Sequence, residues 1–384
     1  MNTGLCIVKK QNFYKNRHLW IFSGAIKTVK DVHPGGIVDV VSVDGKFLGR
    51  GYYNPASDIR VRMLSFRKER IDREFFKKRI INANLLRERF LENTNVYRVV
   101  YSDSDLLPGL IVDRYADYLV VQFQTLGMDK MKHMIIDALN QVFRPEGIYE
   151  RNDVQVRSRE KLPLLRGTIS GKEPPDLVQV QENGVKFLVD VKRGHKTGFY
   201  IDQRENRKKV RELSPSRVLN LYSYTGGFGV YACLGGGEVV NVDTSKEALE
   251  LAKENFKLNG IPSHKHREVL AKAEDVMRER WNGDMIILDP PNLALKRKDR
   301  EQGIKKFTSL NANAIHSLGQ GLLFTFSCSG NIHTEDFKRA IFHSGQKVGK
   351  ELILLELTGH PFDHPVRVYS PELEYLKGAL LYVR

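Results

Sequence analysis

From about Ser214 onward the chain alternates short apolar strands with helices, and each strand ends on residues able to do chemistry. The strands are read at residues 217–221, 239–242, 285–288 and 322–326, with helices clearest at 245–258 and 307–318. Such alternation implies βαβ units and a parallel sheet. Ligands of an open sheet of this kind bind beyond the carboxyl ends of its strands. The first strand runs into Tyr222-Ser223-Tyr224-Thr225-Gly226-Gly227-Phe228, whose glycines admit positive φ and let a ligand approach the backbone. The next ends at Asp243, an acid suited to accept both hydroxyls of a ribose. The third ends in Asp289-Pro290-Pro291, a carboxylate followed by stiff extended backbone. The fourth ends in Ser327-Cys328-Ser329-Gly330.

Two readings of the first turn compete. Gly227-Phe228-Gly229-Val230-Tyr231-Ala232 fits the dinucleotide pattern G-x-G-x-x-G/A, with Asp243 about sixteen residues beyond Gly227. Gly226-Gly227-Phe228 after Asn220-Leu221-Tyr222-Ser223-Tyr224 instead resembles motif I of class I methyltransferases. A dehydrogenase has no need of Asp289-Pro290-Pro291. Methyltransferases acting on planar nitrogen heterocycles use that arrangement, the carboxylate accepting a base N–H while the prolines frame the ring. The plain alternative is a structural turn. A lone cysteine is usually buried and inert, and Cys6 and Cys233 are read so. Cys328 differs because strand-end position and small neighbours set it beside the expected base pocket. C5 of cytosine is unreactive until a nucleophile adds at C6, and a thiolate suits that role.

Charge points to a polyanionic partner. Lys and Arg number 61 against 46 Asp and Glu, a net +15. Such a surplus attracts polyanions and makes their binding salt-dependent. Residues 1–70 carry thirteen cations and five acids, so they supply +8 of it. Their pattern is all-β, with runs at 37–41 and 59–64 between turn signals. In the second run Arg60 and Arg62 alternate with apolar residues and share one face. That face is either a solvated exterior or a surface that tracks phosphates. Residues 71–94 read as a helix with Phe75, Phe76, Ile80, Ala83 and Leu86 on one side. Strands at 97–101, 110–113 and 118–124 follow, then a helix at 129–143 striped by Met131, Met134, Ile135, Ala138, Leu139 and Val142. Asn183-Gly184 signals a hairpin, and Glu173-Pro174-Pro175 reads as a linker. This middle region is mixed α+β without a catalytic signature.

The chain as a whole resembles the 5-methylcytosine methyltransferases of large-subunit ribosomal RNA. The likeness is carried by Gly194-His195-Lys196-Thr197-Gly198-Phe199-Tyr200-Ile201-Asp202-Gln203-Arg204-Glu205-Asn206-Arg207, the turn at Gly226-Gly227, Val242-Asp243-Thr244-Ser245, Asp289-Pro290-Pro291, Ser327-Cys328-Ser329-Gly330 and Tyr375-Leu376-Lys377-Gly378. It implies an α/β fold: a Rossmann-like class I methyltransferase domain at 191–384, preceded by a small all-β PUA-like RNA-binding domain at 1–70 and a central α+β domain at 71–190. It implies S-adenosylmethionine as cofactor, contacted by Lys196, Phe199 and the turn Tyr224, Thr225, Gly226, Gly227 and Phe228. Asp243 would take the ribose and Asp275 the adenine edge, with helix N-capping as the alternative for Asp275. Asp289 would lie near methionine and target base and Cys328 would be the nucleophile; from the residues themselves, Pro290 and Pro291 are read as framing the substrate base and Arg60 and Arg62 as meeting substrate RNA. Asp363-His364-Pro365 recurs in the family and is read as loop structure alone. One departure is that the aromatic usual after the two prolines is missing, the chain reading Asn292-Leu293-Ala294-Leu295-Lys296.

The expected reaction is methyl transfer to cytosine C5 in ribosomal RNA. Its rivals are an amino or ring-nitrogen methyltransferase without covalent catalysis, a non-catalytic RNA-binding assembly factor and, more distantly, a nicotinamide enzyme. Ribosomal RNA is the expected partner, with monomer and homodimer both open. No metal is expected, because no two of Cys6, Cys233 and Cys328 have ligand spacing. The N-terminal stretch Met1 to Gln11 meets charge too soon for a signal-peptide core, and no run reaches the roughly 18–20 apolar residues of a membrane helix. A reducing cytoplasmic setting follows as an expectation.

Overall fold

The computed structural model describes residues 3–384; Met1 and Asn2, from the N-terminal stretch read above, lie outside them. Two compact units form. One comprises Met1–Gln181, Val189–Ile201 and Phe362–Leu373, the other Glu182–Leu188, Asp202–Pro361 and Glu374–Arg384. Where three regions are expected, the boundary at residue 70 separates two sheets inside the first unit, and residues 191–201 also belong to that unit.

The first unit holds a six-stranded sheet in the order Trp20–Phe22, Ile59–Ser65, Phe47–Tyr53, Ile37–Ser42, Gly4–Val8 and Ile26–Lys30. Its core is Cys6, Val8, Val38, Val40, Leu48, Val61 and Met63. Ile59–Ser65 is buried on both faces from Val61 onward, and this corrects the reading of Arg62. Alternation names a face but not what covers it. The Arg62 guanidinium is buried, donates to Glu160 (3.2 Å) and lies 5.6 Å from the Trp20 ring centroid. Arg60 is half-buried and donates to the carbonyls of Pro55 and Ser57.

The second sheet of this unit orders Leu165–Gly171, Gly147–Asn152, Tyr118–Phe123, Leu110–Tyr115 and Val96–Tyr101. Helices Arg73–Glu88 and Lys132–Phe143 pack against it through Phe76, Ile80, Ile135 and Leu139. Asp72 starts the first helix by accepting the Phe75 N–H (3.1 Å). That helix ends at Glu88 rather than 94, and Asn93 beyond it takes φ 44°. Leu86, expected on the apolar face, is exposed; Arg87 is buried instead and paired with Asp105 at 2.5 and 2.8 Å. The helix expected at 129–143 is broken at Met131 (φ −92°, ψ 6°). Asn183 and Gly184 (φ 47° and 80°) make the hairpin turn expected of them. Asp363 is fully buried, accepting the Arg98 N–H through its carboxylate (2.9 Å) and Arg87 through its carbonyl (3.2 Å). It anchors the first unit.

The second unit is a seven-stranded sheet: β1 (Arg217–Leu221), β2 (Glu238–Asp243), β3 (His266–Leu270), β4 (Met285–Leu288), β5 (Gly321–Ser327), β6 (Leu352–Thr358) and β7 (Lys377–Val383). Their spatial order is β3-β2-β1-β4-β5-β7-β6, all parallel except β7, which runs antiparallel to both neighbours. Helices α1 (Arg204–Leu213), α2 (Gly227–Leu234), α3 (Lys246–Leu258), α4 (Ala273–Val276), α5 (Arg300–Leu318) and α6 (Thr334–Val348) accompany them. β4 is fully buried along its length, as a central parallel strand covered on both faces must be. Ser245 starts α3 by accepting the Ala248 N–H (3.1 Å). The register pairs Leu221 with both Val242 and Leu288, and Leu288 with Thr325. The carboxyl ends of β2, β1, β4 and β5 therefore open on one edge, and strand order reverses between β1 and β4. That reversal is the switch point where ligands of such sheets bind. Among the described residues no helix is long and apolar enough to cross a membrane.

Candidate active site

The turn after β1 is unusual backbone. Tyr222 (φ 59°), Tyr224 (φ 47°) and Gly226 (φ 77°) all have positive φ within five residues. Non-glycine residues seldom adopt this, and where they do the strain clusters at ligand sites. At Gly226 a Cβ would also sit 3.0 Å from the Ala252 Cβ of α3. Asp243, ending β2, accepts the Tyr224 N–H through one carboxylate oxygen (2.8 Å) and the Ser245 N–H through the other (2.9 Å). Each oxygen keeps a lone pair for a further donor. Ser223 Oγ is buried and has no hydrogen-bond partner among the described residues. Burial raises the Tyr222 phenol, with the charge of Glu274 adding to the effect, so it stays protonated.

At the ends of β4 and β5 two loops meet. Cys328 Sγ, half-buried, lies 3.8 Å from the Pro290 carbonyl oxygen. Ser329 Oγ and Asn331 Nδ2 both donate to the Ala294 carbonyl, at 3.1 and 2.8 Å, so the cysteine loop and the Asp-Pro-Pro loop are stitched together. Asp289 is half-buried and accepts from Gln203 Nε2 (2.9 Å), while Gln203 Oε1 accepts from Asn206 (2.6 Å). These bonds fix the rotation of the carboxylate. Pro290 is buried and Pro291 exposed. Burial pushes the thiols of Cys6 and Cys233 up to about 12.

The second unit thus gathers Tyr224, Thr225, Gly226, Gly227, Phe228, Asp243, Asp289, Pro290, Pro291 and Cys328 at one sheet edge. Asp275 lies beyond the end of β3, in α4. It is exposed and ion-paired with Arg278 (3.1 Å); the helix N-cap is Lys272, so Asp275 is not a cap. Lys196 and Phe199 belong to the first unit. Lys196 is exposed over the Tyr200 ring (4.5 Å to the centroid), and Phe199 is buried with its N–H on the Tyr115 hydroxyl (3.2 Å). A cavity of about 450 Å³ bordered by Arg278, His316 and Lys347 holds none of the expected site residues. Among the described residues no cluster of His, Cys, Asp or Glu could hold a metal ion. Sequence reasoning assigned no role to Gln203, Arg207 or Lys377, although all three fall in stretches it singled out. Arg207 is buried, bound to Glu182 and close beneath Gly227.

Comparison with known proteins places this geometry. Residues 8–66 match the model of a PUA-like domain, and residues 157–302 that of an S-adenosylmethionine-dependent methyltransferase. The chain is 44% identical over 377 residues to ribosomal RNA large subunit methyltransferase I of Tolumonas auensis, covering 95% of each chain. It is 38% identical over 397 residues to the protein of that name from Photobacterium profundum, covering 100% of each. The chain belongs to the ribosomal RNA large subunit methyltransferase I family. A methyltransferase solved in complex with SAH has the same fold over 100% of both chains (24% identity, TM-score 0.85). So does a SAM-dependent methyltransferase structure from Streptococcus mutans (23% identity, 98% and 99% covered, TM-score 0.83). The protein is therefore a SAM-dependent methyltransferase with a PUA-like domain ahead of a Rossmann-like one. Its residues fit that cofactor: the strained glycine turn, the half-buried Asp243 carboxylate and the orphaned Ser223 hydroxyl all stand at the switch point.

Proposed function

We propose that this protein methylates C5 of a cytosine in large-subunit ribosomal RNA, with Cys328 adding covalently to C6. The observation that carries the reading is the meeting of the two loops: Cys328 Sγ stands 3.8 Å from the Pro290 carbonyl, next to an Asp289 carboxylate oriented by Gln203. A nucleophile and a base-edge acceptor side by side suit a pyrimidine ring.

S-adenosylmethionine, when bound, supplies an electrophilic methyl group on a sulfonium and departs as the neutral thioether. Tyr224 to Phe228 and Asp243 would hold it, with Asp275 as a further contact. The Cys328 thiolate forms the S–C6 bond, and the C5=C6 electron pair moves toward C5, which takes up the methyl group. Asp289 accepts from the exocyclic amine and so holds the ring edge with C6 toward the sulfur. The C5 proton leaves to water or a base. Its bonding pair restores C5=C6 as the S–C6 bond breaks, returning the thiolate.

A base inside a duplex must be flipped out at a cost of a few kcal/mol, so a loop or an incompletely folded RNA is the favoured substrate. Arg62 is committed to Glu160 and is not part of the RNA surface proposed here. Exposed Lys9, Lys10, Lys27 and Lys30 on the small β-sheet module are better placed to meet phosphates, which position RNA without specifying sequence.

The test is methyl incorporation from labelled cofactor into ribosomal RNA of cells lacking the protein, followed by nucleoside analysis. Wild type should yield 5-methylcytosine and Cys328→Ala none, with cofactor binding intact. Product surviving in the variant would point to nitrogen methylation instead. No incorporation by wild type into either naked RNA or subunits would favour a binding role.

A further inference from the structure

The segment Tyr375-Leu376-Lys377-Gly378 carries part of the family resemblance but has had no part in the chemistry. Its place in the sheet brings Lys377 to the site. β7 pairs with β5 so that Lys377 lies opposite Ser327, the residue before Cys328. The Lys377 ammonium donates to the Ser329 carbonyl (2.9 Å), the residue after Cys328, and to the Tyr375 carbonyl (3.2 Å). The side chain is buried. Among the described residues this ammonium forms no salt bridge. Glu374 and Asp336 act on it through space, yet Asp336 is already bonded to both ends of the Arg300 guanidinium (3.1 and 2.7 Å). A buried ammonium is expensive to keep charged unless an anion compensates it. Burial accordingly draws the Lys377 pKa down, and the charge of Cys328 is among those that oppose the effect.

We propose that Lys377 is the positioning residue that makes the Cys328 thiol reactive, its ammonium stabilising the thiolate beside the Asp289-Pro290-Pro291 loop. This rests on the covalent reading above. The charged groups on neighbouring elements explain the need. Asp289 on the adjoining loop, Glu374 ahead of β7 and Asp336 in α6 are carboxylates that oppose a second negative charge. Arg300 is committed to Asp336, and His333 precedes α6 beside the same carboxylate. Lys377 is the cation whose ammonium is bonded into the cysteine loop itself. Loss of the thiol proton leaves a negative sulfur in the loop that the ammonium binds. The same charge stabilises the sulfur again when the S–C6 bond breaks.

The experiment is the pH dependence of Cys328 alkylation by iodoacetamide in the full-length protein, read by mass spectrometry of the peptide that contains it. An ordinary thiol titrates near about 8.5. Wild type should show a midpoint about one pH unit or more lower. Lys377→Met should raise it by at least about one unit, a tenfold smaller thiolate fraction at neutral pH, and Lys377→Arg should restore most of it. kcat should follow the thiolate fraction while the KM for S-adenosylmethionine stays put. A wild-type midpoint at or above that of an ordinary thiol, or an unmoved midpoint in Lys377→Met, overturns the proposal. Should Lys377→Met misfold, Lys377→Gln makes the same comparison, and a wild-type midpoint at or above that of an ordinary thiol overturns the proposal without any variant. No RNA enters this readout. Activity surviving in Cys328→Ala with the midpoint shifted as expected would sink the covalent reading alone, whereas a dead Cys328→Ala with an unmoved midpoint would sink the role of Lys377 alone.

Discussion

Asp289 is held by one hydrogen bond from Gln203, and that bond separates two effects a substitution could have. Asp289→Asn keeps the shape and removes the charged acceptor for the exocyclic amine, so kcat should fall about 10–100-fold, one charge-assisted hydrogen bond of roughly 1.5–3 kcal/mol. Gln203→Leu leaves the charge but frees its rotation, and a loss near tenfold is expected, one hydrogen bond of about 1–1.5 kcal/mol. Single-turnover methylation at saturating cofactor would measure both. Equal losses would mean that rotation of the carboxylate matters as much as its charge. Cys6 offers a residue-scale test of stability. Its pKa is raised from 9.0 to about 12 by burial alone, so the folded protein keeps a proton that the unfolded chain gives up. That stabilising difference is complete below pH 9 and declines between there and about 12, by up to roughly 1.4 kcal/mol per pH unit. Urea midpoints at pH 8 and 10.5 should show the decline, and Cys6→Val should lessen it. At this scale the sequence was readable where chemistry sits in one motif, as in Asp289-Pro290-Pro291 and Ser327-Cys328-Ser329. Gln203 and Lys377 reach those motifs through tertiary pairing, which no local pattern encodes.

Among elements, α1 is placed by a buried ion pair. Arg207 binds Glu182 through two nitrogens, the closer pair at 2.5 Å, with both side chains almost wholly buried. Arg207→Met would strand a buried carboxylate and should cost about 3–5 kcal/mol, while the double change Arg207→Met with Glu182→Leu should recover much of that loss. Denaturant unfolding of the three variants checks it; a double variant no better than the single would show that the pair is net stabilising. The same ambiguity misled the sequence reading of helix Arg73–Glu88. A 3.6-residue period sets Leu86 and Arg87 near one another, and Asp105, a partner distant in sequence, decided that Arg87 goes inside. Strands β1 and β4 were legible to the residue because short runs made mostly of apolar residues fit a covered sheet. The left-handed backbone at Tyr222 and Tyr224 was not, since tyrosine gives no local signal for positive φ.

For the molecule as a whole, the net charge of +15 makes salt the natural probe of RNA binding. Each phosphate contact on single-stranded RNA should contribute about −0.7 to the slope of log affinity against log salt. Replacing Lys9, Lys10, Lys27 and Lys30 with Gln should flatten that slope by up to about 3 units. Arg62→Gln should leave the slope unchanged and lower stability, because its partner is Glu160. The α/β architecture and the all-β start were visible in the order of strands and helices, whereas the PUA-like character of that start came from the resemblance alone. The division into units was not, since residues 189–201 and 362–373 join the first unit by long-range contacts. That interleaving bears on synthesis. Segment Phe362–Leu373 completes the first unit, and β7, made after β6, inserts between β6 and β5. A growing chain on the ribosome can therefore assemble most of the sheet and still lack the strand that brings in Lys377, so catalytic competence should arrive late in translation, even where the leading β module folds early.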